Sequence, residues 1–310
     1  MAGCNCDMGL ANTGRPNCVP IQSVTSTLIM VPLFNSDGER NKLTLTGFTS
    51  YDANDFIAYV NQQDESRRWF PLPQFENVEL PKAESKFEES NSGRMVFLRQ
   101  GKRSFSGELW AEDSTPTLLG KLQNNRCVDF GVYIIDVNGN LVGSKGTADY
   151  MGTTIDVLYP IPVDNPSFDP KFMFATDSTT QKIMIGFDFD RLFDESTMYM
   201  VTAEEANTNF NSLTGLIDVN FTLTPTIGFA DVDFDLKFDY GTALNPIKFV
   251  GATAADILMT DSTGVLSITA LNELSEGSYE LVPAVPFVSG QTVTFTIVKT
   301  GFTGKLVHTF

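Results

Sequence analysis

The stretch from Gly93 to Lys145 carries the clearest alternation of apolar and polar positions in the chain. In Ser104–Trp110, Phe105, Gly107 and Leu109 alternate with Ser104, Ser106, Glu108 and Trp110, the two-residue period of a half-buried strand. Met95–Arg99 reads as a second strand, joined to one near Ala83–Glu89 by the turn Asn91-Ser92-Gly93. Gln100-Gly101-Lys102 is expected to turn Met95–Arg99 back into Ser104–Trp110, giving a long hairpin region around 83–111. Ser114-Thr115-Pro116 announces a helix at about 116–124, with proline in the first turn, where its missing N–H is harmless. Leu118, Leu119 and Leu122 are its expected buried stripe. Cys127–Val137 contains the nearly unbroken apolar run Val132-Tyr133-Ile134-Ile135, which predicts a strand covered on both faces.

Elsewhere the same reading gives strands at 21–34 and Leu43–Thr49, and a helix at about 53–62. Asp52 is that helix's N-cap, and Phe56, Ile57, Tyr59 and Val60 form one face. Residues 64–92 read as an irregular excursion, and Thr147–Asp177, with four prolines, as loop-rich. Gln181–Asp190 and Met198–Thr202 are strands. Thr202 with Glu205 is a capping-box signature for a short helix near 203–208, and Leu216–Leu223 closes the first domain. Beyond Thr224-Pro225, seven short strand candidates are separated by Gly, Pro, Asn or Ser turns, the spacing of an immunoglobulin-like sandwich without a disulfide. The expected organisation is a flexible arm at 1–20, a β domain at 21–223 and an immunoglobulin-like domain at 224–310. The fold class is mainly β: a β-sandwich or barrel with small flanking helices, plus a C-terminal immunoglobulin-like β-sandwich.

Composition agrees with sheet: the 310 residues include 25 Phe but only two Trp and one His. The formal net charge of −17 is uneven. Residues 1–145 hold 14 basic and 17 acidic side chains, residues 146–310 hold 7 and 21, and ten of the basic ones lie between Arg67 and Arg126. An acidic chain supplies few cations to replace phosphate counterions, so nucleic acid is not expected as a tightly held ligand. No apolar run has the length of a membrane span, and Met1–Asn17 lacks the apolar core of a secretory signal.

Catalytic equipment is sparse. The single histidine, His308, argues against Ser–His and Cys–His nucleophile systems, and no phosphate-binding, nucleophile-elbow or zinc-protease motif occurs. A glycosidase carboxylate pair stays possible among 38 acids, but no context singles one out. No catalytic, cofactor or metal residue is assigned. Cys4, Cys6, Cys18 and Cys127 read as reduced thiols, with a metal site or disulfide as the alternative. Asp136, Asn138 and Asn140 faintly resemble a calcium loop, but the glycine register favours a hairpin turn at Asn138-Gly139.

Two features are candidate contact sites. The hairpin carries Arg94, Arg99, Lys102 and Arg103, a basic edge that suits an arm reaching a neighbouring subunit or, equally, an ordinary solvated hairpin. In the strand beginning at Asp231, the residues Asp231, Asp233, Asp235, Lys237 and Asp239 point one way and Val232, Phe234, Leu236 and Phe238 the other. Its acidic side reads as a solvated face, with a contact face, calcium ligation or a wall that repels DNA as functional alternatives.

The hairpin around Asn91-Ser92-Gly93, the helix Pro116–Asn124 and the strand Cys127–Val137 resemble, in their order, the tail-tube family of bacteriophage structural proteins. The opening MAGCNCDMGLANTGRPNCVPI is similar to openings of virion proteins of phages infecting Bacteroidetes. The resemblance implies a non-enzymatic virion protein, made in the host cytoplasm, that assembles into rings or a tube of the tail. Its partners would be further copies of itself, with six- or twelve-fold symmetry, other tail and neck proteins, and DNA passing without specific binding; no membrane is involved. A tail ring, hub or adaptor protein, or a carbohydrate- or surface-binding decoration module using Trp69 and Phe70, is the alternative. Charge sharpens the assembly expectation to a basic hairpin packing on the acidic face of a neighbouring copy.

Overall fold

The computed structural model describes residues 21–45, 51–191, 193–227, 229–241 and 245–310. The expected flexible arm, Cys4, Cys6, Cys18 and the second half of the strand expected at Leu43–Thr49 lie outside them.

The fold is mainly β, with α-helices only at Ala53–Val60 and Pro116–Asn124 among the described residues. One large sheet runs in the order Leu43–Thr44, Thr153–Tyr159, Leu141–Tyr150, Phe130–Asp136, Thr25–Pro32, Phe70–Pro71. Two adjacent inner strands, Phe130–Asp136 and Thr25–Pro32, are buried on both sides. Leu28, Met30, Phe130, Val132 and Ile134 enter one core, while Ile29, Val31, Tyr133 and Ile135 enter another. This is the covered strand that the apolar run predicts, although it begins at Phe130, because Asn125–Cys127 forms a 3-10 turn.

A second sheet, Asp169–Met173, Lys182–Asp188, Ser104–Trp110 and Glu76–Glu79 in order, closes the first core with Phe105, Leu109, Ile183, Ile185 and Phe187. The helix Pro116–Asn124 adds Leu122, with Leu118 and Leu119 partly buried, and Thr115 Oγ1 accepts from Leu118 N at 3.2 Å as its N-cap. The second core is covered by the helix Ala53–Val60. Asp52 Oδ1 accepts from Asn54 N at 2.8 Å, and Asp55 Oδ2 accepts from Asp52 N at 2.9 Å. Phe56 and Val60 are buried and Tyr59 stacks on Trp69, but Ile57 turns outward. It lies a hundred-degree step from Phe56, off the stripe that Phe56 and Val60 share.

Three local expectations change. Thr147–Asp177 is not chiefly loop: Leu141–Tyr150 and Thr153–Tyr159 form a hairpin whose turn places Met151 and Gly152 at φ 51° and 78°. The Thr202–Glu205 capping box forms, with Thr202 N donating to Glu205 Oε2 at 2.9 Å, but only turns follow it and no helix. Asn207 adopts φ 48° and ends the winding. Finally, Ile217–Ile227 pairs with Val232–Gly241 and, in parallel, with Phe302–Thr303, so it belongs to the C-terminal sheet rather than closing the preceding one.

That sheet runs Ile268–Ser275, Ser278–Pro283, Val232–Gly241, Ile217–Ile227, and faces a second sheet of Gly264–Leu266, Ile257–Asp261, Thr292–Ile297 and Lys305–Thr309. The connectivity is that of an immunoglobulin-like sandwich. Where antibody domains bridge the sheets with a disulfide, Phe234 and Phe295 meet instead, ring centroids 6.4 Å apart, within a third core drawn from Val219 onward.

Candidate assembly site

The segment from Glu76 to Glu108 is one continuous antiparallel hairpin. Its lower part belongs to the second sheet, where Glu76 opposes Glu108 and Glu79 opposes Ser106. A bridge between Lys82 and Arg103 carries the pairing outward to Lys86–Glu89 against Met95–Arg99. The expected turn at Gln100-Gly101-Lys102 does not form, and Met95–Arg99 does not pair with Ser104–Trp110. The chain runs straight through, because Ala83 N donates to Lys102 O at 2.8 Å and Ser104 N to Pro81 O at 2.9 Å. Gly101 permits this crossing: a Cβ there would lie 1.6 Å from the Ala83 carbonyl oxygen. The true reversal is at Ser90–Arg94, where Gly93 N donates to Ser90 O at 2.8 Å and Gly93 holds φ 78°.

Beyond the bridge, the ribbon Lys86–Arg99 is exposed throughout and, among the described residues, pairs only with itself. Phe87, Met95, Val96, Phe97 and Leu98 are each about half exposed (47–59%), and none packs on any of the three cores. The register places Phe87, Met95 and Phe97 on one face, with the two rings in edge contact at 5.6 Å, and Val96 on the other. A two-stranded ribbon in water has little stability of its own, and one that is apolar on both faces lacks the solvated side that isolated hairpins keep.

The base, by contrast, is anchored. Lys102 Nζ lies 2.6 Å from Asp164 Oδ2 and 2.8 Å from Asp188 Oδ2. Glu195 receives Arg103 Nε at 2.8 Å and Lys82 Nζ at 2.7 Å. Burial alone pushes the Asp188 carboxyl up, but hydrogen bonds from Lys102 and Ser104 bring it below the usual carboxylate range. The Arg103 hydrogen bond, with help from Lys82, holds Glu195 low. The four basic candidates therefore divide. Lys102 and Arg103 fix the arm to its own subunit, whereas Arg94 and Arg99 sit on the ribbon and make no ion pair among the described residues. Sequence reasoning missed the anchoring acids, since Asp164, Asp188 and Glu195 are remote in the chain.

The acidic strand has the expected alternation, with Val232, Phe234 and Leu236 buried and Phe238 packed against the same core. Its acids, however, are half-buried and differently engaged. Asp239 lies 3.2 Å from Lys121 Nζ and accepts from Asn220; Asp235 accepts from Ser278 Oγ and lies 3.3 Å from Lys237. Asp233 opposes Glu280 across the sheet, and burial, reinforced by Asp231 and Glu280, raises its pKa. Central placement between two strands thus makes this a row of separate polar contacts rather than one continuous acidic wall.

Other candidate chemistry resolves locally. The Asp136 carboxylate accepts from the backbone N–H groups of Ser23, Asn138 and Asn140 and from the Asn140 side chain at 2.9–3.0 Å, an Asx-type turn. Among the described residues no group of three or more His, Cys, Asp and Glu is placed to hold a metal ion. Cys127 is exposed and forms no disulfide among the described residues. Trp69, a surface platform in the carbohydrate-binding alternative, is 3% exposed, stacked on Tyr59 at 4.8 Å; Phe70 is at the surface. A cleft of ≈ 1020 Å³ runs past Arg68, Lys121, Asp218 and Tyr240. Its cations are engaged within the chain: Arg68 Nε donates to Gln62 O at 2.7 Å, and Lys121 Nζ lies 2.5 Å from Asp218. No helix among the described residues is long and apolar enough to cross a membrane. No protein-family model matches the chain, and no curated protein matches it significantly.

Proposed function

We propose that this chain is a structural subunit that assembles with copies of itself into rings or a tube of a phage tail, and that the hairpin arm is its principal assembly element. The observation that carries the reading is the ribbon Lys86–Arg99: apolar on both faces, seated on no core, and held out from the body by ion pairs at its base. Burial against a neighbour supplies the stability that an isolated ribbon lacks. Ring or tube geometry and the tail location rest on the order of hairpin, helix and central strand described from the sequence. The net charge of −17 suits a channel that lets DNA slide without adhering.

Electron microscopy of the purified protein tests this, beside a variant in which a short Gly-Ser turn replaces Lys86–Arg99. Rings or stacked rings with a central hole of duplex width are expected for the intact chain, and single subunits for the variant. A wild-type chain that stays monomeric at every concentration overturns the reading.

A further inference from the structure

The arm leaves one end of the second sheet, and the opposite end of that sheet carries an exposed apolar patch. At the arm end, Ser104 opposes Asp188; at the far end, Trp110 opposes Lys182, which in turn opposes Met173. These three side chains and Met184, which opposes Glu108, share the face turned away from the core, since their neighbours Leu109 and Ile183 are buried. Trp110 and Met173 are each 43% exposed and Met184 38%. The patch is rigidly built. Trp110 Nε1 donates to Glu108 Oε2 at 2.8 Å, and Lys182, paired to Glu108 at 2.7 Å, lies 5.8 Å from the indole centroid. Just beyond it stand Glu112, Asp113 and Asp177, exposed acids with no ion pair among the described residues.

We propose that the arm of one copy docks on the Trp110–Met173–Met184 patch of the next, so that subunits join head to tail. This rests on the assembly reading above and names the surface that receives the arm. The chemistry is complementary. The arm strand is a run of four apolar residues, Met95–Leu98, flanked by the unpaired Arg94 and Arg99, and the patch is apolar with unpaired acids beside it. The geometry excludes self-docking. The ribbon extends about 30 Å past Ser104, at the strand rise of ~3.3 Å per residue, away from a patch that lies about 20 Å along the sheet in the other direction. Because arm and patch are different surfaces at opposite ends, the contact is heterologous and propagates from copy to copy until a ring closes or a stack forms.

Complementation tests it directly. The first variant lacks Lys86–Arg99 but keeps its patch; the second is Trp110→Ser with Met184→Glu and keeps its arm. Met173→Ser, which removes apolar surface without placing a charge opposite Lys182, serves as an independent patch variant, and circular dichroism verifies that each is folded. The armless variant alone is expected to stay as single subunits, and each patch variant alone to need roughly tenfold or more protein to assemble, the cost of losing an apolar anchor. Mixed, the armless and patch variants are expected to form a capped 1:1 pair by sedimentation. If both patch variants assemble like the wild type while the armless one does not, the arm docks elsewhere and this inference falls, leaving the assembly reading intact. Failure of the mixture to pair likewise overturns it. Undiminished assembly of the armless variant overturns the arm's role altogether.

Discussion

Lys121, on the helix Pro116–Asn124, places its ammonium 2.5 Å from Asp218 and 3.2 Å from Asp239, joining the helix to the immunoglobulin-like sheet. The same ammonium lies 5.1 Å from the Tyr240 ring centroid. Burial works against the charge here, yet the carboxylates win and hold the Lys121 pKa above its ordinary value. Lys121→Met keeps the stem and removes the charge. It is expected to cost about 1 kcal/mol, as a partly exposed pair does, and to loosen the C-terminal sandwich from the rest. Hydrogen exchange across 217–220, compared between variant and wild type, checks this. Unchanged protection there refutes the coupling.

The ribbon and the core beneath it should respond oppositely to truncation. Phe105 is buried, its ring stacked 4.9 Å from Phe187, whereas Phe97 is 57% exposed and its ring meets Phe87 on the ribbon. Phe105→Ala is expected to cost about 3–5 kcal/mol of subunit stability. Phe97→Ser is expected to change it by less than about 0.5 kcal/mol while impairing assembly. Denaturant melts of dilute subunits distinguish the two.

The crossing at Gly101 tolerates no side chain. Gly101→Ala puts a methyl against the Ala83 carbonyl and must push the two legs of the neck apart. The Lys82–Arg103 bridge should then open and the arm lose its direction. Tryptic cleavage at Arg94 and Arg99 should accelerate while the melting temperature of the body barely moves. Equal cleavage rates would show that the neck accommodates the methyl.

Acidity should act on the arm base and the acidic strand with opposite sign. Asp188 and Glu195 have folded pKa values below their ordinary ones. Their contribution is full above the unfolded range near pH 4 and is lost as pH falls through the folded values. Asp233 is raised, so its charged form is disfavoured by folding and protonation relieves the strain as pH drops. Asp233→Asn is therefore expected to stabilise the sandwich at pH 7 by a few tenths to about 1 kcal/mol, as relief of a cross-strand like-charge pair does. That advantage should vanish near pH 3. Rate-corrected hydrogen exchange over 82–104 and thermal melts across this window provide the two readouts.

What the sequence determined by itself is what a few neighbouring residues decide. Thr115-Pro116 starts a helix that ends at Asn124, the span expected at about 116–124. The run Val132–Ile135 dictates burial on both faces, and the alternation from Asp231 to Asp239 dictates which side chains enter the C-terminal core. Caps, left-handed turns and the pleat are short-range physics, legible within five to ten residues. Tertiary structure decided which strand pairs with which. Gln100-Gly101-Lys102 has turn composition, yet distant partners, Pro81 and Ala83 on one leg and Asp164, Asp188 and Glu195 around the base, pull the chain straight through. The same holds for Ile217–Ile227, whose alternation fits either neighbouring sheet until Val232–Gly241 claims it. Strand pairing is settled by contacts far apart in the chain, and so is the placement of the arm at one end of a sheet and Trp110 at the other.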